Sequence, residues 1–420
     1  MTLRRAQVTA LAQAITRVGR FDLAADSALT AFFREHHELG VHDRSLVADG
    51  TFAWLRRRRS LEALAQTDSP RLVALAVLVR ELGHSVRELE AATSAAERDW
   101  LAQFKARVHE ELPEAVAADV PDWLWERLGA IDVDRAALVR AWQAPAPLDL
   151  RVNVLKATRD EALAALEAQG LGVTATPWSP WGLRVAGRPS LARHAWLADG
   201  RLEVQDEGSQ IVGALMAPKR SDMVVDFCAG AGGKTLLLAT QMRSQGRVYA
   251  FDTSAARLAR LAPRLRRSGL SNVHPQTIAS ERDPRIGRLA GKIDRVLVDA
   301  PCTGFGTLRR NPDLKWRRSE RDVAELADKQ RRILDAAATL VKPGGRLVYA
   351  TCSVLPEEND AVADAFLAAH PEFHEASASE ILAKAGIALD TGARLRTWPH
   401  RHGCDAFFAA VFERAPASIA

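Results

Sequence analysis

Cysteine is scarce in this chain, and none of its four cysteines lies in a C-x-x-C pair. Zinc ribbons and disulfide frameworks need cysteines at short, paired spacings, so the sequence predicts neither. Long apolar runs are lacking too. The longest in the N-terminal half covers residues 72–79, whereas a bilayer span takes about 20 residues. Polar residues at 4, 5 and 7 interrupt the start of the chain, so we expect no secretory signal, no membrane contact and a cytoplasmic location.

The chain also lacks a large excess of one charge, since 57 basic and 52 acidic residues leave a net charge of +5. The basic residues are nevertheless clustered in three runs, at 56–59, 255–269 and 308–318. A solvated helix face explains any one of these runs. Three runs on one chain favour contact with a nucleic acid over that explanation.

The hydrophobic pattern divides the 420 residues into three parts. Apolar residues recur at helical spacing through 1–142, which predicts an all-α domain, and a Pro/Ala linker follows it. A small α+β subdomain is expected over 148–206. Over 207–420, strands alternate with helices and a last antiparallel hairpin closes the chain, which predicts an α/β Rossmann-like domain.

A glycine-rich loop closes the first predicted strand of this α/β domain and opens a helix. Helix N-termini offer free N–H groups to a ligand, and glycine lets the backbone approach it. The spacing from Gly230 to Gly233 does not fit a phosphate-binding P-loop. Asp252, at the end of the next strand, suits the hydroxyls of a ribose. Dinucleotide and adenosylmethionine enzymes share this arrangement, so the loop alone leaves a nicotinamide cofactor open. The candidate cofactor-binding residues here are Cys228, Ala229, Gly230, Ala231, Gly232, Gly233, Lys234 and Asp252.

Two later strands end in cysteine-bearing loops. One loop reads Asp299-Ala-Pro-Cys302-Thr-Gly, and the other reads Thr351-Cys352-Ser-Val-Leu-Pro-Glu-Glu-Asn. Ligand chemistry in open α/β sheets gathers at the carboxyl ends of strands, so both thiols are expected near the glycine loop. A lone cysteine after a strand is usually a small buried apolar residue. Two of them, one with an acid three residues earlier, favour a role in the site over inert packing.

These motifs, together with Arg-Arg-Asn-Pro-Asp-Leu-Lys-Trp at 309–316, resemble the Sun/Fmu family of RNA cytosine-C5 methyltransferases. The subdomain that ends at Val204-Gln-Asp206 is similar to the family's small RNA-binding subdomain. The segments at 42–46 and 54–56 resemble the NusB-like domain of the bacterial 16S ribosomal RNA member. The resemblance implies methylation of cytosine C5 in RNA, with S-adenosyl-L-methionine as cofactor and 16S ribosomal RNA as target. Transfer RNA, large-subunit RNA and a non-catalytic assembly factor are the alternatives.

The same resemblance assigns roles to individual residues. It makes Cys352 the nucleophile that adds to C6 of the base, and Cys302 the thiol that helps to release the methylated product. Asp299 would hold a proton against cytosine N3 and lie beside the cofactor. Lys234 would lower the pKa of a thiol or bind the methionine carboxylate. For the adenine end, counting back from Asp299 leads to Ser280, with Asp283 as the alternative.

A basic and aromatic segment follows the Cys302 loop. Its side chains could pair with phosphates and stack on bases, the alternative being a solvated loop with its tryptophan in the core. The candidate RNA-binding residues are Arg309, Arg310, Lys315 and Trp316. The cluster of histidines and Cys404 at 400–404 lacks a fourth ligand at a sensible spacing, so we expect no metal. We expect a monomer.

Overall fold

The computed structural model describes residues 2–187, 189–191 and 194–417. The chain forms two compact units. The first consists of Met1–Pro145 and Thr307–Ser319, and the second of Ala146–Gly306 and Glu320–Ala420. Within the described ranges, no helix combines the length and apolarity needed to cross a bilayer.

The first unit is helical, and its sequence sets several of the helix ends. Ser94 accepts from the backbone of Glu97 and the Glu97 side chain accepts from the backbone of Ser94, which fixes the start of one helix by a capping box. Leu11 and Ile15 lie on one face of the first helix and are buried, as their spacing predicts. The helices are α1 (Arg5–Val18), α2 (Ala25–Glu35), α3 (Val41–Ala65), α4 (Pro70–Ala76), α5 (Ala95–Arg107), α6 (Glu114–Ala117), α7 (Asp122–Gly129) and α8 (Arg135–Gln143). A short π-helix covers Val77–Glu81, and a 3₁₀ helix covers Val86–Ala92.

The second unit begins with a small antiparallel sheet and its helices. The elements are β1 (Leu148–Val152), α9 (Arg159–Glu167), β2 (Val173–Ala175), β3 (Gly182–Val185), α10 (Ala195–Ala198) and β4 (Leu202–Val204). The sheet has the strand order β2-β3-β1-β4, and Leu150, Leu166 and Leu183 lie in its apolar core. This is the small α+β subdomain that the sequence predicts.

The rest of the second unit is a doubly wound α/β domain. Its strands are β5 (Met223–Asp226), β6 (Arg247–Asp252), β7 (Val273–Thr277), β8 (Ile293–Asp299), β9 (Val341–Thr351), β10 (Phe373–Ala376), β11 (Leu395–Arg396) and β12 (Phe408–Arg414). Its helices are α11 (Glu207–Leu215), α12 (Gly233–Gln241), α13 (Ala255–Ser268), α14 (Pro284–Gly287), α16 (Glu320–Ala338), α17 (Asp360–Ala369), α18 (Ala378–Lys384) and α19 (Pro399–His402). Helix α15 (Leu314–Arg317) belongs to the helical unit.

The order of the strands places the candidate residues at one edge of the sheet. Strands β7, β6, β5, β8 and β9 lie side by side and are parallel, and β12 continues the sheet antiparallel to β9. In this sheet β5 is central: β6 and β7 follow on one side of it, and β8 and β9 on the other. The strand order reverses between β5 and β8, so a crevice opens at the carboxyl ends of these two strands. The predicted fold class is confirmed: a helical N-terminal region, a small α+β subdomain and a Rossmann-like domain. The predicted boundaries at 142, 148 and 206 stay predictions.

The segment Thr307–Ser319 folds with the helical unit. Lys315 is 2% exposed, and its Nζ donates to the backbone oxygen of Arg56 at 2.9 Å. The indole nitrogen of Trp316 donates to the backbone oxygen of Leu55 at 2.8 Å, and its ring packs against the helical core. Arg309 is 6% exposed.

Arg309 and Lys315 are buried within the helical unit, which accounts for these two residues by packing, and the predicted contacts with RNA stay predictions. Trp316 takes the alternative role, with its ring against the helical core, and Arg310 is half-buried. The amino-acid sequence of a basic run is the same whether the run is exposed to solvent or packed against another element. Only the fold separates these two cases.

The arginine run 56–59 also stabilises the helical unit. Arg56 donates to the backbone oxygen of Arg309 at 3.0 Å, Arg58 pairs with Glu62 at 3.0 Å, and Arg59 donates to the backbone oxygen of Val120 at 2.6 Å. These contacts explain the run by packing and remove one of the three observations that favour a nucleic acid.

We predict that Lys315→Met changes how stability depends on pH. Burial lowers the pKa of Lys315 to about 7, whereas an unfolded lysine has a pKa of about 10.4. Between these values the unfolded chain binds more protons, so the lysine makes the free energy of unfolding rise with pH. The urea midpoint of the wild type should therefore rise more from pH 7 to pH 9.5 than that of Lys315→Met. Lys105→Met, at an exposed position of α5, should keep the wild-type slope. Equal slopes in Lys315→Met and wild type would contradict the prediction.

Candidate functional site

A cavity of about 460 Å³ lies at the carboxyl ends of the central strands. Most of the predicted catalytic and cofactor-binding residues line it, and of these Gly232 and Ser280 do not. The predicted residues that line it are Cys228, Ala229, Gly230, Ala231, Gly233, Lys234, Asp252, Asp299, Cys302 and Cys352. Sequence reasoning missed further lining residues, among them Gln205, Asp226, Arg257, Arg264, Glu281, Lys329 and Phe407.

The glycine loop takes its shape from a left-handed turn and from Asp252. Gly232 has φ +84°, and a Cβ there would lie 2.2 Å from Cδ1 of Leu261, so a side chain does not fit. The Asp252 carboxylate accepts from the Gly230 N–H at 2.9 Å and from the Ser254 N–H at 2.7 Å. Each carboxylate oxygen has room for a second donor. Asp252 thus braces the loop and can still accept from a ligand's hydroxyls.

Asp226 provides a direct test of whether a ligand fits this cavity. Its side chain is 1% exposed, and its Oδ2 accepts from the Thr235 hydroxyl at 2.6 Å. Its Oδ1 is buried and has no hydrogen-bond partner among the described residues. Burial raises the pKa of Asp226 to about 7. Buried polar atoms are almost always paired, so this oxygen fits a ligand that brings an amino or hydroxyl group.

Two arginines connect the glycine loop to its surroundings. Arg151, on β1 of the small subdomain, donates to the Gly233 backbone oxygen at 2.7 Å. Arg264, on α13, donates to the Ala231 backbone oxygen at 2.6 Å and pairs with Glu203 at 2.8 Å. The small subdomain is thus part of the wall of the site. The basic run 255–269 supplies Arg264 and Arg257, and both line the cavity.

Lys234 and Asp299 form an ion pair inside the cavity, with Nζ and Oδ2 2.8 Å apart. Lys234 is also 4.9 Å from the centroid of the Phe407 ring, a cation–π distance. Burial lowers the pKa of Lys234, but the charge of Asp299, its hydrogen bond and the charge of Cys352 raise it, so the net pKa is above the usual value. Lys234 therefore stays an ammonium beside both Asp299 and Cys352.

The two cysteine loops bring their thiols together. The sulfurs of Cys302 and Cys352 are 3.4 Å apart. The pKa of Cys302 is raised well above its usual value, mainly by the hydrogen bond with Cys352 and next by burial. Burial also raises the pKa of Cys228. Cys302 and Cys228 therefore stay protonated, and both the Cys302 thiol and the Lys234 ammonium lie close to Cys352.

The backbone keeps the two loops in contact. The Gly306 N–H donates to the Cys352 backbone oxygen at 2.8 Å. A Cβ on Gly306 would lie 2.1 Å from the Ala406 backbone oxygen, so only glycine allows this approach. The buried carboxylate of Glu358 bonds to residues of both loops. Sequence reasoning quoted Glu358 as part of a motif but gave it no role.

Neither residue proposed for the adenine end lines the cavity. The Ser280 hydroxyl accepts from the Arg282 N–H at 3.2 Å. Asp283 caps the short helix α14 and pairs with Arg285 at 2.6 Å, and these hydrogen bonds lower its pKa. Glu281, between them, does line the cavity. The structure thus brings neither Ser280 nor Asp283 to the site, and Glu281 is the acid after β7 that reaches it.

Comparison with known proteins agrees with this geometry. A family profile described as "16S rRNA methyltransferase RsmB/F" matches residues 213–413, and a profile of a ferredoxin-like domain of the same family matches residues 120–191. The ribosomal RNA small subunit methyltransferase B of Sodalis glossinidius is 36% identical over 315 residues, which cover 74% of this chain and 70% of that protein.

Solved structures share the fold. The crystal structure of PH0851 matches with a TM-score of 0.79 at 28% identity and covers 99% of this chain and 100% of that chain. A methyltransferase homolog protein from Pyrococcus horikoshii matches with a TM-score of 0.61 at 28% identity, over 71% of this chain and 97% of that chain. Fold and site together define a methyltransferase with a Rossmann-like sheet. Within that class, the chain belongs to the RsmB/F family.

We predict that Asp252→Asn weakens binding of S-adenosylmethionine. The carboxylate accepts hydrogen bonds that an amide matches only in part, and loss of a hydrogen bond to a charged group costs about 1.5–3 kcal/mol. Calorimetry should therefore show an affinity at least tenfold lower. Asp328→Asn, an exposed residue of α16, should bind as the wild type does. Unchanged affinity in Asp252→Asn would remove this residue from the site. Binding of NADH in place of adenosylmethionine would overturn the class of cofactor.

Proposed function

We propose that this protein methylates C5 of a cytosine in RNA, with S-adenosylmethionine as methyl donor and 16S ribosomal RNA as target. The observation that carries the proposal is the pair of thiols 3.4 Å apart in the cavity that also holds the glycine loop and Asp252. A binding protein has no need of two adjacent thiols at such a site. The small-subunit target is supported by the relative from Sodalis glossinidius, whose name gives that activity.

The chemistry requires a nucleophile because C5 of cytosine reacts poorly with a methyl donor. The Cys352 sulfur forms a bond to C6, and the electrons of the C5–C6 double bond then make C5 nucleophilic. After C5 has taken the methyl group, loss of the C5 proton and departure of the Cys352 sulfur restore the double bond. Cys302 assists this elimination: as a thiol it gives its proton to the departing Cys352 sulfur, and the Cys302 thiolate that remains takes up the C5 proton.

The ion pair of Lys234 and Asp299 lies in the same cavity as the thiols. The Lys234 ammonium is close enough to Cys352 for their charges to interact. A proton held against N3 of the base favours addition at C6. The resemblance gives this proton to Asp299, and the ion pair supports a shared role for Lys234 in holding it.

The residues of the cavity fit the cofactor. Asp252 would accept from the ribose hydroxyls, the glycine loop would lie against the methionine part, and the unpaired oxygen of Asp226 would accept from the amino group. Glu281 is the residue placed to reach the adenine end. The cofactor, when bound, supplies an electrophilic methyl group.

The target base must leave its stack before a buried thiol reaches C6. We therefore expect single-stranded or loop RNA to react best.

The two thiols should have different phenotypes when each is replaced. Cys302→Ala should attack and methylate but stall, because elimination is impaired, and should accumulate a protein–RNA adduct that survives denaturation. Cys352→Ala should form no adduct and have no turnover, because the nucleophile is missing. A denaturing gel of each variant with RNA and S-adenosylmethionine measures both outcomes. Cys404→Ala, which removes a buried thiol that does not line the cavity, is the matched control and should not accumulate adduct.

Adduct from Cys352→Ala instead of Cys302→Ala would exchange the two roles. Activity in both variants without adduct would show that the thiols serve only packing. Bisulfite sequencing of RNA from a deletion strain identifies the target. Loss of methylation in transfer RNA or large-subunit RNA, with 16S ribosomal RNA unchanged, would contradict the proposed substrate.

A further inference from the structure

Glu358 is a buried acid at the junction of the two cysteine loops. Its side chain is fully buried, at 0% exposure. Its Oε1 accepts from the Thr303 N–H at 2.8 Å and from the Gln330 amide at 3.0 Å. Its Oε2 accepts from the Thr303 hydroxyl at 2.6 Å and from the Ser353 hydroxyl. These four donors fill the lone-pair positions of one carboxylate.

The partners of Glu358 are the residues that follow the two thiols. Thr303 comes directly after Cys302, and Ser353 comes directly after Cys352. Helix α16 contributes the third partner through Gln330, which also donates to the Pro301 backbone oxygen at 2.9 Å. One side chain therefore holds both loops and the helix beside them.

The hydrogen bonds of Glu358 fix the positions of the two loops. Among the described residues, none of the side chains that bond to Glu358 is a cation, and burying a charge without a counterion is unfavourable. Four hydrogen bonds offset that cost, and hydrogen bonds to a charged group are stronger than neutral ones. Apolar packing could fill the same space, but it would not fix the direction of either loop.

We propose that Glu358 is a positioning residue that sets the separation of the two thiols so that both reach the same base in turn. It does not line the cavity and touches no reacting atom. The role in catalysis rests on the proposed function, because the two thiols act in succession only in that chemistry. The geometric part is independent of it: without Glu358, the 3.4 Å approach of the two sulfurs is lost.

A trivalent arsenical reports this geometry without any RNA. Phenylarsine oxide reacts with two neighbouring thiols, forms two As–S bonds and releases one water. The wild type should bind one equivalent, and Cys302→Ser and Cys352→Ser should each abolish this binding. In Glu358→Ala the affinity should fall at least tenfold. Glu325→Ala, at an exposed acid of α16, should match the wild type.

Steady-state kinetics measures the catalytic part of the role. Glu358→Ala should lower kcat at least tenfold while KM for RNA and the affinity for S-adenosylmethionine stay within twofold, since the cavity walls are untouched. Thr303→Val removes one hydroxyl and keeps the side-chain volume, so it tests the same network if Glu358→Ala does not fold. Thr303→Ser restores the hydroxyl and should recover kcat to within threefold of the wild type.

Each result supports or overturns the role. Wild-type arsenical binding and kcat in a folded Glu358→Ala, or in Thr303→Val if Glu358→Ala does not fold, would overturn it. So would failure of the wild type to bind the arsenical, or arsenical binding that persists in Cys302→Ser. Equal activity of Thr303→Val and Thr303→Ser would overturn the part assigned to the hydroxyl. Loss of arsenical binding in Glu358→Ala, from a wild type that methylates no RNA, would leave the positioning role standing and refute the proposed function.

Discussion

The parallel pairing of β8 with β5 on one side and with β9 on the other is the constraint on which the site depends. Parallel strands end at the same edge of a sheet, so the residues that follow them converge there whatever their separation in sequence. Asp299 ends β8 and Cys352 follows β9, 53 residues along the chain. The ion pair of Lys234 with Asp299 and the contact of the two sulfurs both depend on that register.

The chain that leaves the Cys302 loop has a structural task as well. Gly306 is the last residue of this stretch in the α/β unit, and the next residues, Thr307–Ser319, fold with the helical unit before α16 begins. Lys315 and Trp316 anchor that segment through backbone oxygens of α3. Because Thr307–Ser319 packs within the helical unit, removing the N-terminal residues of that unit would leave this segment without its core.

Three buried ionisable residues of the site owe their properties to the groups packed around them. Asp226 is kept partly protonated because its burial is not matched by hydrogen bonds on both oxygens. Lys234 keeps its charge because Asp299 lies against it. Glu358 has four neutral donors in place of a cation. In each case the sequence shows only an ionisable residue, and the groups packed around it decide what it does in the site.

The sequence by itself determined the fold class, the central strands and the residues that gather at their ends. Alternation of strands with helices, a glycine loop before a helix and an acid or thiol after a strand are local signals, and local periodicity is strong enough to locate such elements. The tertiary structure decided what local signals cannot carry. It packed the basic segment that holds Lys315 into the helical unit, brought Glu281 to the cavity in place of Ser280, and gave Glu358 its place between the loops. These outcomes depend on contacts between residues far apart in the chain, and the spacing of residues in a sequence does not specify which of several neighbouring side chains faces a cavity.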